Sequence, residues 1–247
     1  MTVEELLDQC RRDYLDDYTE MVSGSDDQLF RDSSLVRWFN EAERKICRET
    51  LGLVSIGADT AFTQITLATG VSDYAVDPRI IRILSARPSD TVYDLSRATY
   101  NNIRETQARY GSQDYFDVNS AQTATPGRPS WYATDVATNK IRFFPTPSSV
   151  ENALVINLRA AHYPATKMSA DSLSASPEIP EQYHHLLPLY AAAKALSSPN
   201  VDSELRSAAR AFAQDFTAEL RDVRRGVLLE NMAYPGFKFG GWANDGS

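Results

Sequence analysis

Apolar residues recur at helical spacing from the start of the chain, as Leu6, Leu7, Cys10, Tyr14, Leu15 and Tyr18. Thr2 and Glu5 ahead of them form the T-x-x-E pattern of a capping box, so a helix is predicted to begin at Val3. SGSDDQ then reads as a loop. A second stripe, Leu35, Phe39, Ala42 and Ile46, has Asp32, Ser33 or Ser34 in position to cap its helix. Gly52 after Leu51 is expected to take the left-handed conformation that closes this helix, with Leu53 packing back.

Near residue 60 the spacing changes from that of a helix to that of a strand. AFTQITLAT alternates, and SDYAVD reads as a short strand after a Gly-Val turn. PRIIRILSA is β-branched and apolar on both faces, which predicts a buried strand. Residues 93 to 110 read as a strand end and then a short helix from Ser96 to about Arg109. GSQDYFDVNSAQTATPGRP follows as a long polar loop. SWYATDV, KIRFFPT and ALVINLRAAHY are three further strands, the first two joined across ATNK as a hairpin. Leu154, Ile156 and Leu158 share one face of the third, and PATKMSADSLSASPEIP is a polar link out of the β region.

Helical spacing returns in PEQYHHLLPLYAAAKALSS, with Pro180 and Glu181 in first-turn positions. Pro188 removes a backbone bond and clashes one turn back, so either the helix kinks there or a first turn stops and the main helix begins near Leu187. Asp202 or Ser203 caps a last helix to about Glu230, whose stripe is Leu205, Ala209, Phe212, Phe216, Leu220, Val223 and Val227. Ala208, Ala211 and Ala213 are small enough for close packing. Residues 231–247, NMAYPGFKFGGWANDGS, have neither period. Pro235, Gly236, Gly240 and Gly241 break helix and strand alike, yet the segment carries Tyr234, Phe237, Phe239 and Trp242.

The two N-terminal helices cannot bury their stripes alone, and neither can the two C-terminal ones. Packing all four together is the economical solution. The expected class is α+β. It is an antiparallel helical bundle built from both ends of the chain, with an inserted small antiparallel β domain (barrel or sandwich) and an extended C-terminal arm. The expected boundaries are 1–57, 58–168, 179–230 and 231–247.

Composition is that of a globular chain of 247 residues, 43% hydrophobic and 23% charged, long enough to bury a core without staples. No apolar run approaches the length of a membrane span, and MTVEELLDQC lacks the basic start and apolar stretch of a signal peptide. The expectation is a soluble chain, made and kept in a cytoplasm. Cys10 and Cys47 have no CxxC partner and read as two buried thiols. Net charge is −8, and residues 1 to 32 hold ten acids against three bases, nearly the whole excess. A protein that grips DNA shows the opposite sign. The acids read first as a solvated helix face, and second as a surface that repels nucleic acid or meets a basic partner.

Motifs of catalysis are missing: there is no GxxxxGKS/T, GxGxxG, GxSxG or HExxH. The adjacent pair His184 and His185 points to different sides of a helix, a poor start for a metal site, and reads as helix-surface histidines near a kink. Asp16 with Asp17 and Asp26 with Asp27 are sequence neighbours, not carboxylates across a cleft. No catalytic residue, metal ligand or cofactor is assigned. Arg79, Arg82 and Arg87 form a basic cluster beside a strand. It reads first as a solvated strand edge protected against aggregation, then as a face for an acidic protein partner, and third as a nucleic-acid contact.

GRPSWYATD, NKIRFFPTPSS, LVINLRAAHYPA and PEIPEQYHHLLPLYAAAKAL together follow a familiar order of turns and strands. The order is Gly127 and Pro129, an aromatic strand, Pro145 and Pro147, Tyr163 and Pro164, then Pro180 with Tyr183 and His184. SSLVRWFNEAERKICRE adds a stripe running past Asn40, Glu41 and Ala42. In these patches, between about residues 33 and 197, the chain resembles the head-to-tail adaptor (connector) proteins of tailed, especially short-tailed, bacteriophages. The resemblance implies a structural virion protein rather than an enzyme, a dodecameric ring in the virion neck made in the host cytoplasm. Its implied partners are the portal protein above, tail or nozzle proteins below, and identical subunits in the ring. Double-stranded DNA would pass through the channel without specific binding, and no membrane is involved. An acidic surface suits a channel that must not hold DNA.

This reading gives the arm a purpose. Tyr234, Pro235, Phe237, Phe239 and Trp242 would lie across a neighbouring subunit as interface anchors; the other outcome is an arm folded back over its own bundle. The alternative function is a phage cell-wall hydrolase using a pair of carboxylates.

Overall fold

A computed structural model of the chain describes residues 1–16, 29–57, 61–102, 126–198, 201 and 203–232. The fold is α+β, helices with antiparallel sheet. Two compact units divide it: Met1–Gly52 with Thr166–Ser247, which is helical, and Leu53–Ala165, which is β.

The helical unit begins with α1 (Val3–Gln9). The capping box at Thr2 is formed: Glu5 N donates to Thr2 Oγ1 at 3.3 Å, and Thr2 N to Glu5 Oε2 at 2.9 Å. The next backbone donors, Val3 N and Glu4 N, are satisfied by the carbonyls of Ala175 and Leu173 at 2.8 and 3.1 Å. The polar link after the β region is therefore a strap that completes this helix start. A π-helical turn, Cys10–Leu15, continues α1 and stops at Asp16 in the left-handed conformation. The expected continuation to Tyr18 and the SGSDDQ loop lie outside the described residues.

In α2 (Asp32–Thr50) the expected stripe is buried, and Val36, Glu43, Cys47 and Thr50 are buried beside it. Its ends differ from expectation. Arg31 is the N-cap and provides no side-chain bond, so Asp32, Ser33 and Ser34 all lie in the first turn. The Asp32 carboxylate is engaged elsewhere, accepting from Arg11 Nη2 at 2.6 Å. At the other end Leu51, not Gly52, is left-handed, with φ 54°. Gly52 serves a close approach instead: its N–H donates to Thr50 Oγ1, and a Cβ there would stand 2.9 Å from that oxygen.

A short 3-10 turn, Glu181–Tyr183, precedes α3 (Leu186–Leu196). This resolves the Pro188 alternatives in favour of a first turn that stops. Pro188 sits in the first turn of α3, where its missing N–H has no intrahelical acceptor to lose. Every residue of α3 except Lys194 is buried, and α1, the π turn, α2 and α4 (Ser203–Met232) all touch it. A helix apolar all round belongs at the centre. Along α4, Ala209, Phe216 and Leu220 are buried and Phe212 and Val223 half-buried, but Leu205 is exposed. Ala211 and Ala213 are exposed too, because they lie off the stripe, and so provide no close packing.

Asn40 shows how the strap is fixed. Its side-chain Nδ2 donates to Met168 O and its Oδ1 accepts from Met168 N, both at 2.9 Å. Replacing it with Ala strips both backbone groups of their partner. Asn40→Ala is expected to lower stability by about 2 kcal/mol in urea unfolding, with an unchanged slope.

Among the described residues the β unit holds two four-stranded sheets. In the first, β8 (Val155–His162) is central. β4 (Ile80–Pro88) pairs along one side of it, and β1 (Val54–Ile56) and β2 (Gln64–Thr66) share the other, all antiparallel. The second runs β3 (Asp73–Ala75), β7 (Lys140–Phe144), β6 (Trp131–Ala133), β5 (Ser96–Arg97). Ile65, Ile83, Ala86, Ile156 and Leu158 from the first sheet meet Tyr132, Ile141 and Phe143 from the second in one core. The arrangement is a sandwich. Gly57, between β1 and β2, has no room for a side chain: a Cβ would lie 2.6 Å from Asn157 Cα of β8.

Several strand expectations change. β1 has no signal in the pattern, and Ala61–Thr63 forms a 3-10 turn before β2. β4 is buried on one face only, with Arg82 and Arg87 exposed. Ser96 and Arg97 do not start a helix. Ser96 N and Ala98 N bond to Ser130 O and Tyr132 O of the neighbouring strand, at 2.9 Å each. Helical backbone starts at Tyr100, where Thr99 Oγ1 accepts from Asn102 N and the Asp135 carboxylate from Tyr100 N. Residues 103–125, on which the rest of the expected helix and most of the expected loop fall, lie outside the described residues.

Candidate interaction surfaces

The arginine cluster begins with the pairing of β4 and β8. Arg82 stands opposite Ala161, Ser85 opposite Arg159 and Arg87 opposite Asn157. Arg82 and Arg87 are five residues apart, an odd spacing that simple alternation would put on opposite faces. A bulge between Ile83 and Ser85 absorbs one residue. Ile83 and Ala86 therefore both enter the core, and Arg82 and Arg87 both face outward. Side chains of opposed residues share a face, so Arg159, exposed and opposite Ser85, stands between them. On its other side Arg159 pairs with Ile56 of β1. Ile56 and Val54 are 43% and 42% exposed, so this outer face combines three arginines with an apolar edge.

Arg79 does not belong to it. It precedes β4, donates to both carboxylate oxygens of Asp77 at 2.9 Å and lies 4.3 Å above the Phe62 ring. Its charge is used locally, and it holds the Asp77 carboxyl below its ordinary range. Arg159 escapes a reading based on neighbours in sequence, because it comes from a strand more than 70 positions away. Its signal was the alternation of Leu154, Ile156 and Leu158, which turns residue 159 outward.

A second surface lies at the end of the sandwich where β8 begins. Thr69 N donates to Asn152 Oδ1, Gly70 N to Pro147 O, and Ser89 N to Val155 O. These bonds bring three loops together and present Val71, Val92, Tyr93 and Val150, the last three each more than three-quarters exposed. Asp90 on the same loops is paired with Arg128. The aromatic arm residues Tyr234, Pro235, Phe237, Phe239 and Trp242 lie outside the described residues.

Titratable groups are engaged in structure. Glu43 is 1% exposed; Oε1 accepts from Glu178 N at 2.8 Å and Ile179 N at 3.3 Å. Burial, only partly offset by those bonds, pushes its carboxyl up to about 7. Burial also pushes the Cys47 thiol up to about 12, and Cys10 is buried as well, so both behave as small core residues. Glu41 is held below its ordinary range, chiefly by the Tyr190 hydroxyl that donates to it and then by Lys194. His162 donates from Nδ1 to Tyr163 O and shares a hydrogen bond between Nε2 and the Ser55 hydroxyl, at 2.7 and 2.8 Å. His184 is buried rather than on a helix surface, donating from Nε2 to Ile179 O at 2.8 Å, and burial lowers its pKa; His185 is exposed. Among the described residues no three His, Cys, Asp or Glu side chains gather to hold a metal ion, and no helix is long and apolar enough to cross a membrane.

An outer sheet face and a loop end suited to protein contact are the surface features that this α+β frame presents. The model of the SU10 adaptor protein family matches residues 1–234, and the chain belongs to that family. The membership agrees with the resemblance to bacteriophage head-to-tail adaptors. A comparison with curated proteins returns no match.

Proposed function

We propose that this chain is a subunit of the ring that joins head to tail in a phage virion. It docks under the portal protein, extends the DNA channel and offers tail or nozzle proteins a platform. The family match over residues 1–234 carries this reading. The exposed apolar residues Val92, Tyr93 and Val150 support it, since apolar groups gathered at one exposed end mark protein contacts. The chain is made in the host cytoplasm and ends in the virion neck, as one of twelve copies. DNA passes without specific binding, in keeping with a net charge of −8.

The chain is not an enzyme in this reading. A cell-wall hydrolase needs a raised carboxylic acid open to substrate across from a second carboxylate. Glu43 has the raised carboxyl, but it is buried and bonded to the strap.

Native mass spectrometry of the chain, alone and mixed with the portal protein of the same virion, tests the reading. Large rings in the presence of portal are the expected result; a monomer in both samples refutes it. Residues 231–247 serve as the docking arm. Their removal is expected to abolish portal binding while leaving the circular dichroism of the helices nearly intact. Full binding by the shortened chain would remove the arm from the mechanism.

A further inference from the structure

The outer face of the β4–β8 sheet collects Arg82, Arg87 and Arg159 with no ion pair to any described residue. Arg159 lies about 7 Å from each of the other two by sheet geometry. Three like charges at that spacing repel one another unless a counter-charge is supplied. The same chain displays acids elsewhere that make no ion pair with any described residue. Glu4 and Asp8 are both exposed on α1, four residues apart and so on one side of the helix, about 6 Å along it. Glu5 is separate, because its carboxylate is used in the capping box.

We infer that the face formed by Arg82, Arg87 and Arg159 docks the Glu4 and Asp8 side of α1 from a second copy of this chain. The inference rests on the ring reading above and names its subunit contact. Two different patches that complement each other, both present on every copy, make a head-to-tail contact, the kind that closes into rings. The exposed Val54 and Ile56 beside Arg159 favour a protein over nucleic acid, because a phosphate backbone has nothing to bury against them. Arginine beside apolar surface is the composition of a protein interface.

The test uses the full chain with the portal protein, and reads ring formation by native mass spectrometry and sedimentation velocity. Arg82→Glu, Arg87→Glu and Arg159→Glu together are expected to weaken ring formation on the order of a hundredfold. Glu4→Arg with Asp8→Arg does the same, and all five changes in one chain restore it. Rescue separates a lost contact from a lost fold. As a second measurement, Asp8→Cys with Arg87→Cys is expected to give a ladder of disulfide-linked subunits on mild oxidation, while either change alone gives none. Normal rings from the triple variant, or no rescue in a chain that folds, overturn this contact and leave the adaptor role standing. Normal rings with lost retention of double-stranded DNA would assign the face to nucleic acid, and also overturn it. A wild-type chain that stays monomeric with portal sinks the adaptor reading and this contact together.

Discussion

Asp32→Ala is expected to destabilise the helical unit by about 4 kcal/mol. The reason lies in Arg11, which is only 4% exposed although it carries a full charge. It faces inward from the π turn, where Nη2 reaches Asp32 Oδ1 and Phe30 O at 2.6 Å each. Removing the carboxylate leaves the guanidinium in a site that disfavours charge, and an arginine cannot discard its proton to relieve that cost. Asp32 also sits in the first turn of α2, where negative charge is favourable, so the loss adds a smaller helix-dipole contribution. A double-mutant cycle with Arg11→Met separates these effects. The double variant is expected to lose less than the sum of the single losses, because both changes remove the same ion pair. Urea unfolding followed by the helical circular dichroism signal measures it. Additive losses would show that the pair is not coupled.

The second large effect is a dependence on pH set by Glu43. Its carboxyl is raised to about 7 in the folded chain, against about 4.3 for a free Glu. The folded state therefore binds this proton more tightly than the unfolded state. Stability from this group is fully present below pH ~4.3, falls as pH rises through 7, and levels off above it; the whole change is about 4 kcal/mol. His184, lowered by burial, acts with the opposite slope: it is stabilising when neutral and costs stability as pH falls below the ordinary histidine range. The difference between wild type and Glu43→Gln isolates the carboxyl. The amide oxygen of the substitute can still accept from Glu178 N and Ile179 N. Glu43→Gln is expected to match the wild type near pH 4.5 and to exceed it by about 3 kcal/mol near pH 8.5. A constant difference across that range would show that Glu43 does not titrate with folding.

Both effects depend on side chains that a periodic pattern cannot place. Position 43 lies next to the α2 stripe and, by type alone, belongs in solvent. It is buried because the strap needs an acceptor at Glu178 and Ile179, 135 residues away. Asn40 and Glu41, quoted above for the family resemblance, have structural roles of the same sort: Asn40 holds Met168, and Glu41 accepts from Tyr190.

Local chemistry was legible wherever neighbours in sequence are neighbours in space. The capping box at Thr2, the α2 stripe, the β6–β7 hairpin, the buried cysteines and the α+β class all followed from spacing and residue type, since these depend on a few adjacent residues. Tertiary structure decided what depends on distant partners. Ser96 and Arg97 became strand because Ser130 and Tyr132 offered carbonyls, and Asp32 gave up its cap because Arg11 needed a counter-ion. Arg79 left the cluster for Asp77, and Arg159 joined Arg82 and Arg87 through the register of β4 and β8. The amino-acid sequence by itself determined most of the elements, the charge balance and the family grammar. Which charges meet, and which are left facing outward, was settled only by packing, because an ion pair or a shared sheet face is a relation between segments rather than a property of either one.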